Sequence, residues 1–154
     1  FASEQMSEQD KIKIITSNRK ANFEYSILSK YEAGIVLFGT EVKSLRDSKV
    51  NIQDSYGRII NDEVWLINAS INEYKFGNIN NHDPLRNRKL LLNKREIRKI
   101  KQELQEKGLT LVPLKIYFKG SKIKIELGIA KGKKLYDKRE SIKKRETERK
   151  LSRL

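Results

Sequence analysis

The sequence contains no cysteine and only one histidine. The first absence excludes disulfides and thiolate nucleophiles, and it suits a reducing cytosol, so a cytoplasmic location is expected. Together the two exclude a zinc site, and no metal or cofactor is expected. A ribonuclease built on paired imidazoles is excluded as well. His82 stands alone in His82-Asp83-Pro84, where the plainer reading is a turn in which Asp83 caps local backbone groups. The glycines form neither of the common phosphate-cradling loops, so nucleotide hydrolysis has no support. Asp54-Ser55 resembles no nucleophile elbow, and the carboxylates are interleaved with Lys and Arg as on a solvated face. No stretch approaches the ~20 apolar residues of a transmembrane helix, and no basic helix has a broad apolar face. Residues 1–11 are polar and acidic, unlike a secretory leader. The chain therefore reads as a binding protein with no catalytic residues and no membrane partner.

What is abundant is positive charge. The 154 residues hold 34 Lys+Arg against 20 Asp+Glu, a net of +14. Clustered cations favour nucleic acid over acidic metabolites. Half of the excess lies in residues 131–154, with 11 Lys+Arg, four Asp+Glu and a net of +7. Glu140 with Lys144 and Glu146 with Lys150 are i,i+4 pairs that favour a helix. Ile142, Leu151 and Leu154 are too few to anchor one. The tail is expected to be disordered alone and helical when laid along phosphates.

Length sets one domain as the natural organisation. Residues 1–17 are expected to be a flexible N-terminal segment, with residues 1–5, ahead of Met6, a cloning remnant. Residues 18–130 form the body and 131–154 the tail. In the body, Phe23–Leu28 reads as a strand with Phe23, Tyr25 and Ile27 on one face. Ala33-Gly34 reads as a turn into a buried strand, Ile35–Phe38, with Gly39 a bulge or bend and Thr40–Leu45 continuing in alternation. Ile59-Ile60 and Val64–Ile67 flank Asn61-Asp62-Glu63, a hairpin signal. Phe76–Arg88 reads as a polar loop. A helix is expected near 94–107, with Asn93 and Glu96 as a capping pair, Ile97, Ile100 and Leu104 at helical spacing, and Gly108 as the stop. Leu114, Ile116 and Phe118 alternate, Lys119-Gly120-Ser121 turns the chain, and Ile123, Ile125, Leu127 and Ile129 alternate again. Some six short strands with an inserted helix predict a mainly β fold, a small closed Greek-key barrel of the oligonucleotide-binding type. A two-layer sheet with one packed helix is the alternative.

Four stretches could meet RNA. In Asn18–Tyr25, basic residues stand beside aromatics, which suits phosphate contact with base stacking; the competing reading is a strand start with core aromatics. In Glu41–Arg46, with Lys49 beyond, Lys43 and Arg46 could follow a backbone or be solvated strand-end charges. In Arg86–Arg95, five basic residues bracket a Leu triplet, and cations at a barrel rim would make a platform for a structured RNA. The fourth is the tail, whose plainer reading is a generic basic extension. A general or ribosomal RNA-binding barrel is the competing function.

Taken in order, several segments resemble the bacterial SsrA-binding protein (small protein B) family. They are Asn18–Ala21, Tyr31–Leu37, Gly39–Arg46, Asp54–Tyr56, His82–Pro84, Arg88–Leu92 and Ala130–Arg139. The resemblance implies a closed barrel with flanking helices and a basic tail. It also implies that the chain binds transfer-messenger RNA and brings it to stalled ribosomes for trans-translation. On that reading the barrel holds the transfer-RNA-like elbow. The tail enters the vacant messenger path near the small-subunit decoding centre, and the protein acts as a monomer. The RNA-contacting residues it implies are Asn18, Tyr25, Glu32 and Leu91, supported by Lys20, Lys43, Arg46, Arg88 and Lys89. Glu32 could accept from a base edge or hold a nearby Arg. For the ribosome it implies Lys131, Gly132, Lys133, Lys134, Tyr136, Asp137, Lys138 and Arg139. Tyr136 would stack on a decoding-site base and Gly132 would supply a bend. Asn22-Phe23 and Asn93 depart from the residues frequent in the family at those places.

Overall fold

Alternation and turn chemistry build most of the molecule, seen in a computed structural model that describes residues 11–76 and 81–133. The clearest unit is a long hairpin of β8 (Leu109–Lys119) and β9 (Lys122–Gly132). It turns at Gly120-Ser121, where Gly120 has φ 62° and Lys119 pairs with Lys122. A second hairpin joins β4 (Tyr56–Ile60) to β5 (Glu63–Ile67). Its two linking residues, Asn61 and Asp62, have φ of 51° and 60°. Two successive positive φ values give the tight turn whose twist matches paired strands, and Asn and Asp tolerate that conformation.

Two more strands complete a circuit, β2 (Tyr25–Ile35) and β7 (Arg88–Leu91). The order β8-β4-β5-β7-β2-β9 returns to β8 through the β8–β9 pairing, so six antiparallel strands form a closed ring. The fold is mainly β and the ring closes, as the sequence pattern predicts. One pair, Gly57↔Leu111, closes it between β4 and β8. A Cβ at Gly57 would lie 2.4 Å from Leu111 Cδ2, so this approach excludes any side chain. Inside the ring Val64, Leu66, Leu90, Leu111, Ile116, Ile125, Leu127 and Ile129 are buried.

Outside the ring, β1 (Ile12–Ser17) pairs with the second half of β8. Residues 12–17 thus belong to the sheet, where a flexible segment is expected from their polarity. A short second sheet pairs β3 (Val50–Asn51) with β6 (Ser70–Ile71).

Three helices flank the strands: α1 (Arg19–Glu24), α2 (Gly39–Arg46) and α3 (Lys94–Glu103). The first replaces the start of the strand predicted at Phe23–Leu28. Asn18 accepts a hydrogen bond from Ala21 N–H and caps the turn, so Phe23 is helical, while Tyr25 and Ile27 alternate in β2 and pack on one cluster as predicted. The predicted turn at Ala33-Gly34 is instead continuous strand, because Gly34 is paired on both sides, with Leu91 and with Lys124. Gly39 opens α2 rather than forming a bulge, and Thr40–Leu45 are helical. Glu41, Ser44 and Leu45 are buried, which is helical spacing, while Lys43 and Arg46 point out. The Asn93–Glu96 capping box predicted for α3 is present in both directions. The helix ends at Glu103, before Gly108, and turns follow it. Ile100 reaches the core, with Ile97 and Leu104 packed against it. No helix among the described residues is long and apolar enough to cross a membrane.

Candidate RNA-binding surface

Alternation along β7 decides the fate of four candidate residues at once. Arg88 and Leu90 point inward and are buried, whereas Lys89 and Leu91 point outward. Arg88 is wholly buried. Its Nε donates to Glu41 Oε2 at 2.6 Å, Nη1 to Ala69 O at 2.8 Å, and Nη2 to the carbonyls of Asp83 and Pro84. It has no surface with which to touch RNA. Its work is to tie β7, α2 and the loop before β7 together, a correction to its place among the RNA contacts.

Glu41, equally buried, also accepts from Arg86 Nη2 at 2.5 Å and from Phe38 N–H at 2.7 Å. Burial alone would raise the Glu41 pKa. The bonds from Arg86, Phe38 and Arg88 outweigh it and hold the carboxyl below the usual range. Arg86 meanwhile lies over the exposed Phe38 ring, 4.1 Å from its centroid.

Asn18 is also buried. Besides capping α1, its Nδ2 donates to Ile52 O at 3.2 Å and Pro113 O at 2.9 Å. Its side chain is enclosed within the fold, so its part is to fix the helix that presents Arg19 and Lys20. Lys20 Nζ bonds Asp54 Oδ1 at 2.8 Å at the surface, and the hydrogen bond and charge of Asp54 raise its pKa. Tyr25 is half-buried against Ala21, Val112, Leu114 and Ala130. Lys20, Glu24, Tyr25, Asp54 and Tyr56 line one cleft. The aromatic there serves packing and leaves an edge in the cleft.

The outer face of the ring brings three other candidates together. Tyr31 and Ala33 point inward on β2, so Glu32 and Gly34 point outward. Leu91, about half exposed, lies directly across from Gly34 and covers it. A Cβ at position 34 would meet Leu91 Cβ at 3.3 Å. Lys89, on the same face, bonds Glu63 at 3.2 Å. Glu32 accepts from Tyr117 Oη and, at 3.2 Å, from Lys119 Nζ. The Tyr117 bond, opposed by burial and aided by Lys119, lowers the Glu32 pKa. Glu32 therefore holds a lysine and a tyrosine, not an arginine. Burial and the Glu32 bond raise the Tyr117 pKa in turn.

Lys43 and Arg46 stand on the exposed side of α2, apart from the Glu32–Leu91 patch. Lys43 Nζ lies 5.3 Å from the Tyr74 ring centroid. His82 is buried: its Nε2 donates to Ile71 O at 2.9 Å and its Nδ1 accepts from Thr40 Oγ1 at 2.8 Å. Asp83 Oδ1 accepts from Leu85 N–H, the local cap expected in that turn. Among the described residues no cluster of His, Cys, Asp and Glu could hold a metal ion.

At the C-terminal end, Lys131 and Gly132 are still strand, paired with Ser26 and Tyr25. Gly132 continues the ladder, so no bend occurs there. Lys133 N–H donates to Glu24 O at 2.9 Å and its Nζ to Asn22 O at 3.1 Å. Lys134, Tyr136, Asp137, Lys138 and Arg139, and the expectation of a tail that orders on binding, lie outside the described residues.

Sequence reasoning missed the Glu41 clamp and the Arg86–Phe38 stack. Their partners are 45 to 48 positions apart, and only the Phe38–Glu41 spacing gave a local sign.

Comparison with known proteins agrees across this geometry. The family described as SmpB protein matches residues 15–154. An SsrA-binding protein of Carboxydothermus hydrogenoformans is 60% identical over 139 residues, covering 90% of this chain and 93% of that protein. One from Thermosynechococcus vestitus is 53% identical over 145 residues, covering 94% and 95%. A solved structure described as "tmRNA-SmpB: a journey to the center of the bacterial ribosome" matches with a TM-score of 0.68 and 48% identity, over 82% of this chain and 93% of that one. With a closed β ring, an outward Leu91–Glu32 face and relatives matched over most of their length, the chain belongs to the SmpB protein family.

Proposed function

We propose that this chain binds transfer-messenger RNA and brings it to ribosomes stalled in the cytoplasm, as a monomeric partner in trans-translation with no catalytic step of its own. The ring of strands takes the transfer-RNA-like elbow. Glu32, Lys89 and Leu91 form the contact face, and further contacts come from Lys20 on α1, Tyr25 at the start of β2, and Lys43 and Arg46 on α2. The segment beyond Lys133, with Lys134, Tyr136, Asp137, Lys138 and Arg139, enters the vacant messenger path at the decoding centre. The observation that carries the reading is Leu91. It is a large apolar side chain held half-exposed on a strand among cations, in a chain whose relatives are SsrA-binding proteins. An apolar contact of that kind fits an unstacked base and its flanking cations fit phosphates.

The division between body and tail is placed after Lys133, because β9 runs to Gly132 and Lys133 bonds back to α1. A chain ended after Lys133 is expected to keep its affinity for the RNA and lose tagging on stalled ribosomes. A chain ended after Ile129 is expected to lose both, since it sheds the buried Ala130 and three pairs with β2. Equal loss of both activities in the Lys133 chain would refute the division. Equal competition by an unrelated single strand for the intact protein would refute the RNA assignment.

A further inference from the structure

Helix α3 is built against its own interest. Lys94 and Arg98, and Arg95 and Lys99, are like-charge pairs at i,i+4, the spacing at which such pairs repel. Lys94 and Arg95 also occupy the first turn, where the helix dipole disfavours cations. The acids that could relieve them are turned elsewhere. Glu96 is spent in the capping box with Asn93. Glu103 is spent inward, accepting from Ser29 Oγ at 2.7 Å and from Tyr31 Oη. Lys101, the remaining cation, has a partner in Asp62 at 3.1 Å. Lys94, Arg95, Arg98 and Lys99 are all exposed, and Arg98 Nε is directed at the Lys94 carbonyl. None of these four has an acidic partner among the described residues. Four cations on one side of a ten-residue helix, uncompensated and mutually repelling, weaken the fold without a structural return.

We propose that this face of α3 is a docking surface for the phosphate backbone of the same RNA that covers Leu91. The inference rests on the function proposed above and extends its site. Continuity chooses the RNA: Leu91 is outward on β7, Asn93 caps α3, and Lys94 begins it, so a strand of phosphates leaving Leu91 meets Lys94 and Arg95 first. The contact is electrostatic and without base readout, because the face presents only long cationic side chains.

The test uses the full chain and transfer-messenger RNA, with affinity measured from about 0.05 to 0.3 M salt. Changing Lys94→Gln, Arg95→Gln, Arg98→Gln and Lys99→Gln together should reduce the slope of log affinity against log salt by about 3–4, near 0.9 per phosphate contact. Affinity should fall at least tenfold near physiological salt. The variant's Tm should be equal to or above that of the parent, which a merely structural role for these cations would not give. Lys94→Arg with Lys99→Arg should bind as the parent does. An unchanged slope and affinity in the Gln variant overturns the proposal. So does a variant that binds the RNA normally but no longer associates with ribosomes, which would assign the face to ribosomal phosphates. If the parent protein itself fails to prefer transfer-messenger RNA over an unrelated strand, the function above fails instead.

Discussion

Replacing Glu41 by Gln removes one charge and almost no volume, from a site where Glu41 and Arg88 are both wholly buried. Arg88 would keep its bonds to three backbone carbonyls but lose its counter-charge. Leaving one member of a buried pair uncompensated costs about 3–5 kcal/mol in comparable cases. Gln relieves the desolvation of the carboxylate itself and keeps one acceptor oxygen, which places the expected loss near the lower end, about 3 kcal/mol. A domain of this kind has roughly 5–15 kcal/mol in total, so the variant should remain folded but visibly weaker. In urea, with a slope of about 1–3 kcal/mol per M, the midpoint should drop by about 1–3 M. Adding Arg88→Met tests the cause. The double variant should be less destabilised than the two single losses summed, by a coupling of about 0.5–3 kcal/mol. A Glu41→Gln loss below about 1 kcal/mol, or strict additivity with Arg88→Met, would refute the clamp. RNA binding adds a second reading: Arg88→Gln should lower the fraction of competent protein while leaving the salt slope of binding unchanged, because a buried guanidinium displaces no counterion.

The Glu41 carboxyl titrates below its ordinary 4.5, so its stabilising charge is present above that pH and is lost as pH falls through the depressed folded value. The stability gap between parent and Glu41→Gln should therefore close as pH falls below the carboxyl's ordinary 4.5, as read by urea midpoints in a pH series. Gly57→Ala should cost about 1–3 kcal/mol by overpacking against Leu111 at the ring's single closing pair, and less than that when made in a Leu111→Ala background. Little or no loss by thermal unfolding would mean that β4 and β8 close the ring elsewhere. Asn93→Ala should cost about 1 kcal/mol and loosen the first turn of α3, visible as faster amide exchange at Glu96.

Much of the ring was legible because its signals are local. The β4–β5 hairpin rests on Asn61-Asp62 and the β8–β9 hairpin on Gly120-Ser121, and each is flanked by clean alternation. The α3 cap is written in Asn93 and Glu96. What was not legible depends on partners far along the chain. Phe23–Leu28 alternates well, yet Asn18 bonds to Ile52 and Pro113 and turns residues 19–24 into a helix. Gly34 beside Ala33 looks like a turn until Leu91 is laid across it and Lys124 pairs with it from the other side. Residues 12–17 sit in a polar N-terminal stretch with Ile12, Ile14 and Ile15 as its apolar touch, and they order by pairing with β8, a hundred residues on.

The candidate surface divides along the same line. Arg86, Arg88, Lys89, Lys94 and Arg95 read as one basic cluster in sequence, because composition cannot tell a cation that serves the fold from one that serves a ligand. What separates them is the location of acids. Arg86 and Arg88 share Glu41, the buried acid of α2, whereas Lys89 and its partner Glu63 in the neighbouring strand are both part-exposed, which leaves Lys89 to the contact face. Lys94 and Arg95 have no acid among the described residues, because the two glutamates of their own helix are committed to its cap and to β2. A cation whose partner is buried with it stabilises the fold and contributes little to the salt dependence of binding. A cation left over after every nearby acid is committed contributes to that dependence and weakens the free protein. The two classes are thus distinguishable by sign: neutralising the first should lower stability at constant salt slope, and neutralising the second should lower the slope without lowering stability.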